Sequence, residues 1–318
     1  MNKRSFRKPL IIPIVTLSLF GCAATATAEH REFSATPAPN PPVSEIVTVC
    51  GQDISFDRED LYERYDRELT GFMYGHGSTL LMLKRANKYF PIMAPILKKN
   101  GIPEDILYLA CIESYLNPVA VSPAKAAGIW QFMPATGAQY GMEINSEVDE
   151  RLNIEKATEA ACQYLKKAYQ KYKDWPTVMA SYNAGGGRIS SELDKQLVDT
   201  SLDLYLNDET SRYFFRVAAL GEIFKNPSKY GFKLNADQLY MPVECDIVEV
   251  KTSVADWPAW AKKHGITYSQ LRAENPWIID KKLTNKTGKT YKVKVPKQDS
   301  MYRSKNDINV YDKRWISD

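Results

Sequence analysis

From Leu61 onward, apolar residues recur three and four positions apart, the spacing that gathers them on one face of an α-helix. The pattern predicts helices over LYERYDRELT (61–70) and TLLMLKRANKYFPIMAPILKKNG (79–101), with Pro91 and Pro95 breaking or kinking the second. Gly101-Ile102-Pro103-Glu104-Asp105 reads as a helix start, proline early and acids in the first turn, and Asn117-Pro118 ends that helix after about Tyr115. IEKATEAACQYLKKAYQKY (154–172) is amphipathic through Ala157, Ala161, Tyr164, Leu165 and Ala168. DWPTVMASYNAG (174–185) and TSRYFFRVAALGEIFKNP (210–227) supply two more helices, so the chain to about residue 232 reads as one helical domain. Then the period changes. LYMPVECDIVEVKTS (239–253) alternates like a strand, VADWPAWAKKHG (254–265) and TYSQLRAENPWI (267–278) read as short helices, and KTYKVKVP (289–296) alternates again. Strand, helix, helix, strand makes a small second module.

The N-terminus is of another kind. Lys3, Arg4, Arg7 and Lys8 precede an apolar run from Leu10 to Phe20 and then small residues, the pattern of a secretion signal over residues 1–28. The run is too short to span a bilayer. Two exits fit. Leu19-Phe20-Gly21-Cys22 resembles a bacterial lipobox, which makes Cys22 a lipidated N-terminus, and Ala23 after it points to the outer membrane. Ala26-Thr27-Ala28 before Glu29 fits ordinary cleavage and release of a soluble exported or periplasmic protein. The lipobox is the preferred exit, because Gly-Cys directly follows the apolar stretch. Residues 29–44, EHREFSATPAPNPPVS, carry four prolines and little to bury, and read as an extended tether.

Charge and cysteines narrow the chemistry. Of 318 residues 42 are basic and 38 acidic, a net +4 with no long basic run, which argues against nucleic acid as a partner. Besides Cys22 the chain has Cys50, Cys111, Cys162 and Cys245, no Cys-x-x-Cys and three histidines, so neither a zinc site nor any other metal or cofactor is expected. Cys111 and Cys162 sit in apolar helical contexts as core residues, while Cys50 and Cys245 flank the main domain and are a candidate bridge in an exported chain.

One acid stands out. Glu113 lies near the end of an apolar helix, beside Ile112 and one helical period beyond Leu109 and Ala110. A carboxyl held among such neighbours loses hydration of its charged form, which raises its pKa toward the range of a general acid. A glutamate at a helix end is more commonly a cap or a surface ion-pair residue, so the setting matters. Gly128-Ile129-Trp130-Gln131-Phe132-Met133-Pro134 offers an aromatic and an amide suited to lining a glycan cleft, or else core plus turn. Tyr182-Asn183-Ala184-Gly185-Gly186-Gly187-Arg188 offers a phenol, an amide and close backbone approach, or else a helix closed by glycine. That glycine run is no phosphate loop, since it lacks a preceding strand and a Lys-Ser/Thr ending.

Glu113-Ser114, Gly128-Ile129-Trp130-Gln131, Ser181-Tyr182-Asn183-Ala184-Gly185 and Glu209-Thr210 with Tyr213 resemble, in order and spacing, the four motifs of the family 1 lytic transglycosylases. NPVAVSPAKAAGIWQFMPATGAQYGM (117–142) is similar to their membrane-bound murein transglycosylase D branch. Two departures stand: Ser181 replaces the usual alanine, and Glu-Thr-Ser-Arg-Tyr replaces Glu-Thr-Arg-x-Tyr, which shifts the arginine to Arg212. The resemblance covers about Leu80 to Tyr230 and implies a mainly α, lysozyme-like catalytic domain over residues 45–235. It also implies cleavage of the β-1,4 bond between N-acetylmuramic acid and N-acetylglucosamine in peptidoglycan, with 1,6-anhydro ends. Glu113 is then the one catalytic acid and base, and Ser114, Gln131, Tyr182, Asn183 and Tyr213 contact or orient substrate. Glycosidases ordinarily use two carboxylates, and Glu104, Glu143, Asp149 and Glu150 are the other acids on hand, none in a comparable aromatic and amide setting. A single acid suits a substrate-assisted route through the N-acetyl oxygen.

Residues 243–297 resemble a LysM module through Gly265-Ile266-Thr267, Leu271, Asn275-Pro276 and Val295-Pro296, with Thr252-Ser253-Val254 where Gly-Asp-Thr is usual. Such α+β modules, strand-helix-helix-strand, bind glycans containing N-acetylglucosamine. This one either binds glycan or only buttresses the enzyme. Residues 298–318 remain as a C-terminal tail. The expected partners are glycan strands and, through Cys22, a membrane. A hydrolytic muramidase of the same fold and a non-catalytic peptidoglycan-binding protein are the competing readings.

Overall fold

The computed structural model describes residues 39–305 and 307–317. The signal segment, Cys22 and most of the tether lie outside the described residues. Residues Asn40–Asp318 form a single compact unit, mainly α-helical, with two small antiparallel sheets.

The unit opens with a hairpin that the helical patterning did not predict. Strand β1 (Ile46–Val49) pairs with β2 (Gln52–Ser55), Ile46 opposite Ser55 and Val49 opposite Gln52. The two-residue turn is Cys50-Gly51, at φ 54 and 78, the left-handed geometry a tight hairpin demands. Alternation puts Val47, Val49 and Ile54 into the core. Just before it, Pro41 is already buried, so the chain docks on the helical lobe within the segment read as a tether.

Helices α1 (Glu59–Tyr74) and α2 (His76–Lys99) follow, and α2 runs unbroken through Pro91 and Pro95. Both prolines are exposed and four residues apart, so the hydrogen bonds they remove lie on the outer side. Ala86, Phe90, Met93 and Leu97 hold the inner side in the core. After a 3-10 turn at Glu104–Ile106 comes α3 (Leu107–Ser114), closed by Tyr115 and Leu116 at φ 52 and 55. A looped stretch leads to α4 (Pro134–Gln139) and a 3-10 turn at Glu150–Leu152. Next is α5 (Ile154–Tyr172), whose first turn is capped by the Asn153 side chain accepting from Lys156 N–H. Asp174 caps α6 (Trp175–Ala184) in the same way through Thr177 N–H. Helix α7 (Gly186–Gln196) is set off from α6 by Gly185 at φ 87, so the glycine run is a joint between two helices. Helix α8 (Asp208–Lys225) is the spine: Tyr213, Phe214, Phe215, Val217, Leu220, Ile223 and Phe224 are all buried, and it packs against α1, α3 and α6.

The C-terminal module is built as its sequence predicts. Strand β3 (Cys245–Val250) pairs antiparallel with β4 (Tyr291–Pro296), Cys245 opposite Pro296 and Val250 opposite Tyr291. Between them lie α9 (Trp257–Lys263), capped by Asp256, and α10 (Tyr268–Glu274), opened by a reciprocal Thr267–Gln270 capping box. The module does not stand apart: Ala127, Val148 and Leu152 of the helical lobe share one core with Trp257, Trp277, Ile278, Leu283 and Val293. Val148 bridges Ile278 in antiparallel fashion, and Asp149 N–H donates to the Trp277 carbonyl at 2.9 Å.

Two further expectations change. Cys50 and Cys245 are both unpaired: Cys50 sits at the hairpin turn, its N–H on Asp105 at 2.6 Å, whereas Cys245 opens β3 in the module. Within the segment read as a C-terminal tail, Asn309, Tyr311 and Trp315 pack on the helical lobe. Trp315 is buried against Phe90 and Phe224 and donates its indole N–H to the Phe224 carbonyl at 3.0 Å. The Asn87 amide donates to the Asn309 carbonyl at 3.0 Å and accepts Tyr311 N–H at 2.8 Å. Removing a buried indole leaves a large cavity and a carbonyl without its donor. Trp315→Ala therefore lowers unfolding stability by about 3–5 kcal/mol, measurable by urea denaturation.

Candidate active site

Glu113 is the penultimate residue of α3, half-buried, at the end where backbone carbonyls point outward and disfavour a negative charge. Its carboxylate accepts a short hydrogen bond from the Tyr213 hydroxyl on α8. Burial pushes the Glu113 carboxyl up to about 7; Tyr213 and the nearby Arg216 guanidinium pull the other way, and Glu209 adds to the rise. Tyr213 is buried, and burial with the facing Glu113 charge holds its phenol well above its ordinary range. It stays a donor at any physiological pH.

The wall beside the acid is the loop 127–132. Ala127 and Phe132 exchange two backbone hydrogen bonds, at 3.0 and 3.1 Å. Gly128, at φ 83, lies so close to the next segment that a Cβ there would sit 2.0 Å from the Arg151 carbonyl oxygen, a distance no side chain tolerates. Gln131 adopts φ 50, and its amide donates to the Gly128 carbonyl at 2.8 Å and the Ala120 carbonyl at 3.2 Å. Trp130 is fully buried with its indole N–H on Thr158 at 2.8 Å. Behind the loop Arg151 donates to the carbonyls of Lys125 at 2.7 Å and Phe132 at 3.0 Å, while Asp149 grips it at 2.9 and 2.7 Å.

The residues singled out by sequence occupy distinct places. Ser114 is buried and donates to the Ile129 carbonyl at 2.9 Å, so its hydroxyl ties α3 to the loop instead of facing Glu113 or a ligand. The Tyr182 hydroxyl donates to the Trp130 carbonyl at 2.8 Å, its ring edge-on to Phe132 and Tyr164. Burial, then the Glu113 charge, keeps its phenol protonated. Asn183 accepts from Thr210 at 2.8 Å, which turns its NH2 toward Glu209 at 3.4 Å. Glu113, Tyr182 and Tyr213 thus converge, with Gln131 and Asn183 on the adjoining segments.

Sequence reading missed what steadies α8. Arg212 forms a forked pair with Glu68 of α1, at 2.7 and 3.0 Å, and Glu68 is almost wholly buried. A glutamate on the apolar face of α1 is the signal that pointed there. The other acids are engaged elsewhere. Glu104 accepts from Tyr311, Asp149 holds Arg151, and Glu150 takes Lys289 at 2.8 Å and Lys156. Glu143 is partly buried, yet Lys289 at 2.6 Å and Tyr291 at 2.9 Å hold it below the ordinary carboxylate range. Among the described residues no group of three or more His, Cys, Asp or Glu is placed to hold a metal ion.

A model of the transglycosylase SLT domain matches residues 91–198, the stretch that contains Glu113, Ser114, Gln131, Tyr182 and Asn183. Residues 246–299 match the soluble lytic transglycosylase C-terminal LysM-like domain. Over 183 residues the chain is 32% identical to membrane-bound lytic murein transglycosylase D of Escherichia coli (strain K12), covering 56% of this chain and 40% of that protein. It is 25% identical over 191 residues to a putative tributyltin chloride resistance protein of Alteromonas sp. (strain M-1), covering 58% and 91%. The 70 kDa soluble lytic transglycosylase of Escherichia coli aligns in structure with a TM-score of 0.40 at 21% identity, over 51% of this chain and 30% of that one. Tyr213 and Arg212 lie beyond the SLT match, on α8, which completes the site from outside it.

An acid of raised pKa links stability to pH. The folded protein holds the Glu113 proton up to about 7, above the ordinary value of 4.5, so this contribution is full below 4.5 and is lost as pH rises through about 7. Glu113→Gln removes that dependence. The variant is expected to be more stable than wild type at pH 8, by about 1–3 kcal/mol, and to show a smaller advantage at pH 5, as paired denaturation curves at the two pH values will show.

Proposed function

We propose that this protein is a peptidoglycan lytic transglycosylase that cleaves the β-1,4 bond between N-acetylmuramic acid and N-acetylglucosamine and leaves 1,6-anhydro ends. The observation that carries the reading is Glu113, a single carboxyl raised to about 7 and oriented by Tyr213, while Glu104, Glu143, Asp149 and Glu150 are all bound up in structural contacts. The SLT match and the name of the murein transglycosylase relative support the substrate class.

In this mechanism protonated Glu113 gives its proton to the glycosidic oxygen as the bond from that oxygen to the muramoyl C1 breaks. The N-acetyl oxygen of the same sugar shares the positive charge that develops at C1, in place of a second carboxylate. Glu113, now a carboxylate, takes the proton of the muramoyl 6-hydroxyl as its oxygen closes on C1. The enzyme returns to its starting protonation state, and no water is consumed. Gln131 and Asn183 hold glycan oxygens and acetamido groups; Tyr182 and Tyr213 shape the pocket and steady the acid; Ser114 anchors the loop.

For location, the relative's name, membrane-bound, fits an exported protein tethered at a membrane. Among the described residues no helix is long and apolar enough to cross a bilayer. Cys22, lipidated and inserted in the outer membrane, is the proposed anchor, with the catalytic unit in the periplasm.

Digestion of purified murein followed by mass spectrometry tests the reaction. Muramic ends lighter by one water than the hydrated form are expected; hydrated ends alone identify a muramidase, and no cleavage at all leaves a binding protein. Glu113→Gln is expected to reduce turnover by about a thousandfold with a native circular dichroism spectrum. Because the acid must begin protonated, wild-type turnover falls as pH rises through about 7.

A further inference from the structure

Beside the acid, on the α1 side of α8, is a cavity of about 390 Å³ whose walls include Phe72, Tyr115, Glu209, Arg212 and Arg216. Its charges are unequally satisfied. Glu68 takes both arms of Arg212, and Arg67 reaches the same carboxylate at 3.1 Å. Asp208 receives Arg212 at 3.3 Å and Arg67 at 3.4 Å. Those two arginines are therefore committed. Arg216 is different: among the described residues its guanidinium has no hydrogen bond or ion pair, although it is half-buried and lines the cavity. The exposed Glu209 at the rim accepts its hydrogen bond from the neutral Asn183 amide and makes no ion pair with Arg216.

Helical spacing fixes where Arg216 points. Glu209, Tyr213 and Arg216 fall at i, i+4 and i+7 on α8, one face, and Tyr213 on that face touches Glu113. Tyr115 lies two residues past Glu113, left-handed and 42% exposed, its carbonyl held by Arg85 at 2.9 Å. A planar guanidinium with free donors, next to an exposed aromatic ring in a cleft, is matched to a carboxylate, which it takes with two parallel hydrogen bonds.

We propose that Arg216 binds a carboxylate of the peptide stem carried by the muramic acid residue, making this cavity a stem-recognition site on the same face of α8 as Tyr213. The inference rests on the peptidoglycan reading of the site and adds which part of that polymer the protein reads. It has a consequence for the acid. Unpaired, Arg216 is among the charges that draw Glu113 down; a bound carboxylate offsets it and favours the protonated form needed to start the reaction. A stem in place then primes the acid.

The test measures binding apart from turnover. Full-length protein is titrated by calorimetry with a stem peptide, L-alanyl-D-isoglutamyl-diaminopimelate, bearing free carboxylates, and with the same peptide fully amidated. Wild type is expected to prefer the free carboxylates about tenfold, the size of one charge-assisted contact. Arg216→Ala erases the preference, and Arg216→Lys, which keeps the charge, restores part of it. No preference in wild type, or an undiminished one in Arg216→Ala, overturns the proposal. The muramic lactyl carboxylate is the other source of the same group: preferential binding of stem-free N-acetylmuramic acid over the peptide, lost in Arg216→Ala, also overturns it. Anhydro products without carboxylate preference sink this site alone, whereas hydrated products with an Arg216-dependent preference sink the reaction and leave the site.

Discussion

Holding one carboxyl where water is scarce, yet open enough to meet a ligand, is the constraint that orders the helical lobe. Glu113 rides on a helix of only eight residues, too short to be stable alone, so its position is fixed by what surrounds it. On one side α8 brings the Tyr213 hydroxyl. On the other, Ser114 pins the helix end to the 127–132 loop, and Tyr182 pins the same loop from α6. Each of these bonds ends on a backbone carbonyl or on Glu113 itself. Geometry is thus set by main chain, which moves less than side chains do.

The loop in turn depends on the C-terminal module. Arg151 carries the loop carbonyls, Asp149 carries Arg151, and the Asp149 N–H is fixed by the Trp277 carbonyl of the module. Ile279 N–H donates to the Glu147 carbonyl at 3.0 Å, and Lys289 joins Glu143 and Glu150 from across the boundary. These contacts surround a shared apolar core, which makes the module a buttress to the wall of the site. The acids that a sequence reader weighs as a second catalytic carboxylate are mostly spent on this joint.

Much of the fold was legible because amphipathic periods over α1, α2, α5 and α8 reflect one-sided burial. The caps at Asn153, Asp174 and Thr267, which no periodicity reveals, fix the starts of their helices through local hydrogen bonds. What escaped was nonlocal. Val47 to Ile54 alternates weakly, with a Cys-Gly turn in place of the usual Asn-Gly, and Trp315 is a lone aromatic with no period around it. Prolines 91 and 95 pointed to a break only because their shared exposed face is invisible in one dimension. In the site, Glu113 by itself reads as a cap or surface residue and gains weight only from the other motifs, and Tyr213 is 100 residues away, joined to it only by motif order. The pairing of Glu68 with Arg212, and the freedom of Arg216, appear only once α1 and α8 are packed.

The proposed chemistry depends on the protonation of one group, which can be observed directly. Carbon-13 labelling of glutamate side chains, with the Glu113→Gln spectrum to assign the carboxyl resonance, allows Glu113 to be titrated in the resting protein by NMR. A midpoint near 7 is expected from its burial at the α3–α8 junction. A midpoint at the ordinary value of 4.5 would mean that Glu113 is a carboxylate at neutral pH, and it would contradict the role of general acid on which the rest is built.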